Sequence, residues 1–454
     1  MSAFYDSKTK SMDDRGIREL LTESAKFQSW LDVEAALAQA QGELGVIPVS
    51  AAQEIRAACQ LDRINLDEVA QLREKIGHGF VPFLKQLVKT CPGDSGQYAH
   101  YGVATQNIQQ TAQLLVVKKV NARFLFLAGE ILHNLGELAE QEAQTVMPGR
   151  THGRHAEPIT YGFKVAVWIA EFMQAVSRLK EAEPRVFQVM MGGPVGAFNA
   201  SGETGRKVQS LVAEKLGMSE MQVPSRNIGT HKVEYVMDLC LLASVCQKMA
   251  EEMYATSLEE IGEVLEGFSS GTVGSSSLPH KINPKLAKGI IANAQKLCSL
   301  PGVMLASCSR PYEGDSSAYM LQEGCLQEAL ELMTEIILRT EELTKHLHVN
   351  RDKMRTNTGI KQGLDNSGLV MINLSKYIGK DQAHAKIYDL AIHATLHNKS
   401  FLTAMQEDTQ LASLFSATEL VDMLKPEAYT GEAAAIAHEM AQAAQKFAVE
   451  LMTS

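Results

Sequence analysis

The stretch FSSGTVGSSSLPHKINPK (Phe268–Lys285) gathers chemistry-bearing residues more densely than any other part of the chain. Gly271 and Gly274, among Ser269, Ser270, Ser275, Ser276 and Ser277, predict a flexible loop. Asn283-Pro284 then reads as a helix N-cap followed by proline in the first turn. Backbone N–H groups of such a loop and of a helix N-terminus present positive ends to an anion, and Lys281 adds a full charge. The combination suits a carboxylate whose negative charge grows during a reaction. A serine whose alkoxide is stabilised there becomes a base. The same residues also fit a plain polar linker with an N-cap. Neither a G-x-x-x-x-G-K-[ST] loop nor a strand-linked G-x-G-x-x-G directs the segment to phosphate.

Two further segments carry polar groups at short spacing. In VMPGRTHGRHAEPITYG (Val146–Gly162), His152 and His155 lie three apart beside Arg150 and Arg154. No H-E-x-x-H or Cys/His ligand set accompanies them, so the reading is a proton donor or a hydrogen-bonded structural histidine, with no metal expected. In HYGVATQNIQQTA (His100–Ala112), Thr105, Gln106 and Asn107 stand where a helix begins. By themselves they form an ordinary N-terminal cap cluster.

These segments need elements to hold them. Proline is absent from 93–147, 225–278 and 312–425, which permits long helices. Leu114, Val117, Phe124, Ala128, Ile131, Leu135 and Leu138 recur at helical spacing, broken only at Asn121. Val236, Leu239, Ala243, Cys246, Ala250, Met253, Ile261 and Val264 do the same, broken at Ser257. Each stripe predicts a helix of about 35–40 residues, which needs partners along its whole length, as in a bundle. Similar stretches run over about 157–183 and 315–346, and alternating β-branched runs are scarce. The expected division is an N-terminal helical domain (1–101), a long central bundle (102–350) and a C-terminal helical cap (351–454).

The chain has 454 residues and a formal charge of −10, which argues against general nucleic-acid binding while leaving room for a small anion held by local cations. Its seven cysteines form no C-x-x-C pair and read as reduced core thiols of a cytoplasmic protein. The first residues, MSAFYDSKTKSMDD, show no apolar signal-peptide core, and no apolar run is long enough to span a bilayer.

Taken together the three segments resemble the fumarase/aspartase superfamily, in particular its adenylosuccinate lyase and carboxymuconate cycloisomerase branch. GSSSLPHKINP (Gly274–Pro284) is similar to the pattern GSSxMPxKxNP, with Leu278 in place of methionine. RTHGRHAEP (Arg150–Pro158) and HYGVATQN resemble the adenylosuccinate lyase versions of their segments, and QSWLDVEAALA near the N-terminus also looks familial. The resemblance covers essentially the whole chain. It implies a nearly all-α subunit of three domains, with a central five-helix bundle that joins a homotetrameric core. Each active site would draw on three subunits, and no cofactor is needed. The implied reaction is anti β-elimination, usually releasing fumarate.

On that resemblance Ser275 is the base that removes the Cβ proton, while Lys281 and Asn283 stabilise the aci-carboxylate dianion. His152 protonates the leaving nitrogen. Thr105 takes the place of a carboxylate-binding serine, and Gln106, Asn107, Thr151 and Ser276 are further substrate-binding residues. His78, in KIGHGFVPF, and His100 take the positions of two further active-site histidines.

The departures are specific. Asn107 stands where close relatives usually have Asp. In NIGTHKVEY (Asn227–Tyr235), Gly229 and Thr230 stand where relatives carry an Arg-Asp pair ahead of Glu234. FYDS (Phe4–Ser7) lacks an Arg-Tyr-Ser, and GDSSAYMLQE (Gly314–Glu323) lacks the arginine that usually follows its serines. Several arginines that would hold a nucleotide phosphate are therefore missing, with Arg310 or Lys285 as possible replacements. The leading expectation is a C–N lyase acting on an N-substituted aspartate, giving fumarate and a small amine or amino acid. Adenylosuccinate cleavage, a carboxymuconate cycloisomerase-like activity and a crystallin-like structural role stand as alternatives.

Overall fold

The computed structural model describes residues 9–268, 275, 277–278 and 280–453. The fold is all-α, 70% helical with 5% strand. The proline-free stretch after residue 92 folds as one helix, Thr105–Gln141, as the apolar stripe predicts. Its polar break is a buried junction. Asn121 donates to Glu183 Oε1 at 2.9 Å and accepts from Tyr235 Oη at 3.1 Å, so the amide is satisfied inside the core.

The second stripe falls short of its expected length. Its helix spans Thr230–Thr256, and Ile261 and Val264 lie beyond it. The Ser257 hydroxyl turns back onto the Tyr254 carbonyl, and Gly262 adopts φ +61. The chain then pairs Val264–Leu265 with His348–Val349 as a short antiparallel ladder. The remaining long helices are Tyr161–Val186 and Ser316–Lys345. Residues 157–160, expected at the start of a helix, belong instead to the strand Arg154–Thr160.

The chain divides into two compact units. One comprises Met1–Phe126, Ala175–Ser244 and Ala292–Leu338, and the other Leu127–Gln174, Val245–Ile291 and Arg339–Ser454. Every passage of the chain from one unit to the other falls inside a helix, the fifth being Lys285–Leu297.

In the first unit the core is built around Phe27, Trp30, Phe80 and Phe83, whose rings meet at centroid distances of 5.2–6.4 Å. In the second, the C-terminal helix Ala433–Thr453 buries a ladder of alanines, and two glycines of the long helix face it. A Cβ at Gly129 would lie 3.1 Å from the Ala448 carbonyl, and one at Gly136 would lie 3.2 Å from that of Ala441. Glycine in mid-helix costs roughly 1 kcal/mol, and here it permits the close backbone approach. A separate cluster around Val370, Leu374, Phe401 and Met405 fills the C-terminal region.

All seven cysteines are free thiols. Among the described residues no helix is long and apolar enough to cross a membrane, and no three His, Cys, Asp or Glu side chains gather as metal ligands.

Candidate active site

The first unit holds His78, His100, Thr105, Gln106 and Asn107. Asn107 is buried in the first turn of the long helix. Its Oδ1 accepts from the Ala104 amide at 2.9 Å and the Gly193 amide at 3.1 Å. The first bond is the reach-back half of a capping box. The second ties the helix to the Gly192–Gly193 loop, and Nδ2 returns a bond to the Gly193 carbonyl at 3.4 Å. Asn107 is therefore a bracket that both donates and accepts, which a carboxylate in its place could not do. Gln106 bonds within the helix to Gln109 at 3.2 Å and Gln110 at 3.1 Å. Thr105, the first helical residue, is partly exposed.

The two histidines of this unit are oriented by different partners. His78 is exposed, and its Nδ1 accepts from the Phe80 and Val81 amides at 3.2 and 3.1 Å, capping the helix Val81–Thr90. The proton of the neutral ring then lies on Nε2. His100 sits at φ +59 with Nδ1 2.6 Å from Glu34 Oε1 and its ring 5.3 Å from that of Phe80. A buried carboxylate at that distance orients the ring and places a proton on Nδ1. Glu34 was not among the residues singled out in the sequence. It lies inside the apolar-looking run QSWLDVEAALA, where an acidic residue at a core position was the available signal.

The second unit holds Thr151, His152, Ser275, Lys281 and Asn283. Val146–Thr151 and Arg154–Thr160 form an antiparallel hairpin closed by the two-residue turn His152-Gly153, at φ +51 and +71. Positive φ at both positions is the twist-matched turn for tight hairpins. Histidine is among the few non-glycine residues enriched in that region. Thr151 and His152 are thereby exposed at the tip, with no side-chain partner among the described residues.

The hairpin is bolted down just behind its tip. Arg150 donates to both Glu263 oxygens at 2.9 and 2.5 Å, and Asn357 donates to the same carboxylate at 2.8 Å. The Glu263 side chain is wholly buried, so this is a forked ion pair in low dielectric. His155 lies 3.5 Å from Asp365, and Tyr429 donates to Glu157 at 2.9 Å. His155 thus supports the hairpin, while His152 stands free at its tip.

The serine segment is described at Ser275, at 277–278 and from 280 onward; Ser276 and Gly274 lie outside the described residues. Ser275 Oγ accepts from the Leu278 amide at 3.1 Å and lies 3.4 Å from the Ser277 amide nitrogen. Donors aimed at Oγ favour its deprotonated form. Lys281 is exposed, with no ion-pair partner among the described residues, and Asn283 is half-buried. The following helix does not present a vacant N-terminus as expected. Glu266 accepts from the Leu286 amide at 3.0 Å and the Ala287 amide at 2.7 Å. A protein carboxylate has taken those positive ends, and the exposed positive charge of this segment is Lys281.

The missing arginine at position 229 also has a physical reason. A Cβ on Gly229 would lie 2.5 Å from Gln322 Nε2 and 3.0 Å from Arg310 Nη2. Arg310 fills this space, bonded to the Ser307 and Arg226 carbonyls at 2.7 and 3.1 Å, with Nη2 buried and unpartnered.

The fold has counterparts in known proteins. A family model described as Lyase matches residues 10–297, and one described as Adenylosuccinate lyase C-terminus matches residues 363–440. The chain is 30% identical over 417 residues to an N-acetyl-S-(2-succino)cysteine lyase of Dickeya dadantii, covering 92% of each protein. It is 31% identical over 438 residues to the adenylosuccinate lyase of Methanocaldococcus jannaschii, covering 93% of this chain and 92% of that one. The crystal structure of a fumarate lyase from Mesorhizobium sp. BNC1 matches with a TM-score of 0.87 at 27% identity, over 94% of this chain and 97% of the other.

Proposed function

The chain belongs to the fumarase/aspartase superfamily of fumarate-releasing lyases, and on that footing we propose that it cleaves an N-substituted aspartate to fumarate and a small amine or amino acid. The observation that carries this reading is Ser275, whose Oγ accepts a backbone N–H in a segment that also exposes Lys281. Ser275 removes the Cβ proton. The electron pair moves into the adjacent carboxylate, making an aci-carboxylate that Lys281, Asn283 and loop amides stabilise. His152 gives a proton to the departing nitrogen, and the C–N bond breaks. Thr105, Gln106, Thr151 and Ser276 hold the substrate carboxylates, with His78 and His100 alongside. Asn107 acts through the helix start that it braces. No cofactor enters.

The proposed assembly is a cytoplasmic homotetramer whose sites combine segments of three subunits, each subunit divided at about 101 and 350. The N-acetyl-S-(2-succino)cysteine lyase relative is named for a succinyl group on sulfur and a small carboxylated remainder, consistent with a small variable half here. A second reading, adenylosuccinate cleavage, is favoured by one feature: Arg310 presents an unpartnered buried Nη2 beside Gly229.

The test is ultraviolet detection of fumarate from adenylosuccinate, argininosuccinate, aspartate, iminodisuccinate, ethylenediamine disuccinate and N-acetyl-S-(2-succino)cysteine, with carboxymuconate run beside them. Turnover of an N-carboxyalkyl aspartate without adenylosuccinate supports the leading reading. Turnover of adenylosuccinate overturns it in favour of the second.

A further inference from the structure

Within the first unit a cavity of about 510 Å³ lies between the segment Leu20–Trp30 and the helices Thr105–Gln141 and Ser316–Lys345. That volume falls within the range of small-molecule sites. An apolar patch that includes Phe27, Trp30, Val117 and Leu330 is joined in its walls by polar and charged side chains, Glu23 and Glu323 among them. Two lining residues connect it with the candidate substrate groups. Gly79 follows His78 in the chain, and Gln109 accepts from Gln106 at 3.2 Å.

One cation in the wall is unanswered. The Arg73 guanidinium has no hydrogen-bond or ion-pair partner among the described residues, and its Nε is fully buried. The other cation, Lys26, is paired with Glu323 at 2.8 Å. Lys232 is completely buried behind two walls. Its Nζ meets only the neutral acceptors Gln110 and Gln113, at 3.3 and 3.2 Å, and lies 5.2 Å from the Tyr319 ring centroid. A buried guanidinium nitrogen without an acceptor is costly, and a ligand carboxylate relieves that cost.

We propose that this cavity receives the variable half of the substrate and selects an amine with an apolar body of about the size of one ring, ending in a carboxylate held by Arg73. The inference rests on the reading that the enzyme cleaves an N-substituted aspartate, and it adds the class of amine. The apolar patch takes the body of the amine, while its terminal carboxylate answers the unpartnered guanidinium.

The experiment compares fumarate release from three aspartates, N-substituted by para-carboxybenzyl, benzyl or carboxymethyl groups. The tetrameric or monomeric state is left as the protein adopts it. The expected kcat/KM for the para-carboxybenzyl compound exceeds each of the others by at least about 10-fold, the scale of one charge-assisted hydrogen bond. Arg73→Gln removes its advantage over the benzyl compound. Val116→Phe, at a partly exposed lining position, narrows the cavity and penalises the two ring-bearing compounds at least about 10-fold more than the carboxymethyl one. The Arg73 variant is read as a ratio between substrates, so partial misfolding does not imitate the result. Equal turnover of all three compounds, unchanged in ratio by either variant, overturns the inference and leaves the C–N lyase reading standing. Fumarate from none of them, and from none of the smaller N-carboxyalkyl aspartates, overturns both.

Discussion

The two units treat their polar residues in opposite ways. In the first, His78, His100 and Asn107 spend a polar atom on the protein itself, on backbone amides or on Glu34. In the second, Thr151, His152 and Lys281 stand exposed without side-chain partners among the described residues, and the binding is done one step behind them by Arg150, Glu263 and Glu266. The difference separates two ways of fixing a reactive group. A side chain can be oriented by its own hydrogen bond, or left free at the end of a rigid support.

The sharpest tests fall on the second unit, at Ser275, which amides of its own loop hold, and at His152, which stands free. Ser275→Ala is expected to lower fumarate release about 10²–10⁴-fold with little change in melting temperature. A variant with full activity would remove Ser275 as the base. His152→Asn should lose a comparable factor while keeping the hairpin, because asparagine tolerates the left-handed turn. His152→Val should in addition lower stability by about 1–2 kcal/mol. Equal melting temperatures for the two variants would show that the turn does not depend on residue 152.

Behind the free groups the expected loss is one of stability. Arg150→Met leaves the Glu263 charge buried and unpaired, which typically costs about 3–5 kcal/mol. The double variant Arg150→Met with Glu263→Leu should recover much of it. Denaturant unfolding of the three chains decides the point, and equal losses in the single and double variants would sink the pair as the hairpin's anchor.

Two buried bases of the first unit carry a pH effect of definite sign. Burial, then Lys232 and Arg310, push the His231 pKa down to about 3, and burial first, with Arg310, pushes Lys232 down to about 7. In both cases the unfolded chain binds protons that the folded chain does not. Stability should therefore rise with pH between about 3 and 6.5 through His231, and between about 7 and 10.5 through Lys232. Lys232→Met should flatten the alkaline rise, and melting temperatures across pH read it directly. A small effect is expected at Glu266→Gln, which keeps one acceptor, sets an amide NH2 against the second backbone N–H and loses charge at the helix start, costing about 1–2 kcal/mol. A loss of several kcal/mol would mean that Glu266 does more than cap.

Long helices were legible because proline gaps and apolar spacing act over many residues and tolerate local error. The end of the Thr230–Thr256 helix was not legible. Ile261 and Val264 keep helical spacing while serving a turn and a two-residue strand. Ser275, His152 and Lys281 were visible as types in a pattern. Glu34, Glu263 and Glu266 were not, because a buried carboxylate declares itself only through the partner that folding brings to it. Asn107 was visible as a polar residue at a helix start, but the bonds by which it ties that start to Gly193 were not.

The turn at His152 also bears on how such an enzyme changes over generations. Its left-handed backbone admits asparagine, aspartate or glycine at little structural cost and resists branched side chains. If His152 is the acid as proposed, a mutation that silences it can spread without unfolding the chain. A duplicated copy could lose chemistry first and keep its architecture, while transplanting the acid elsewhere would require rebuilding a hairpin.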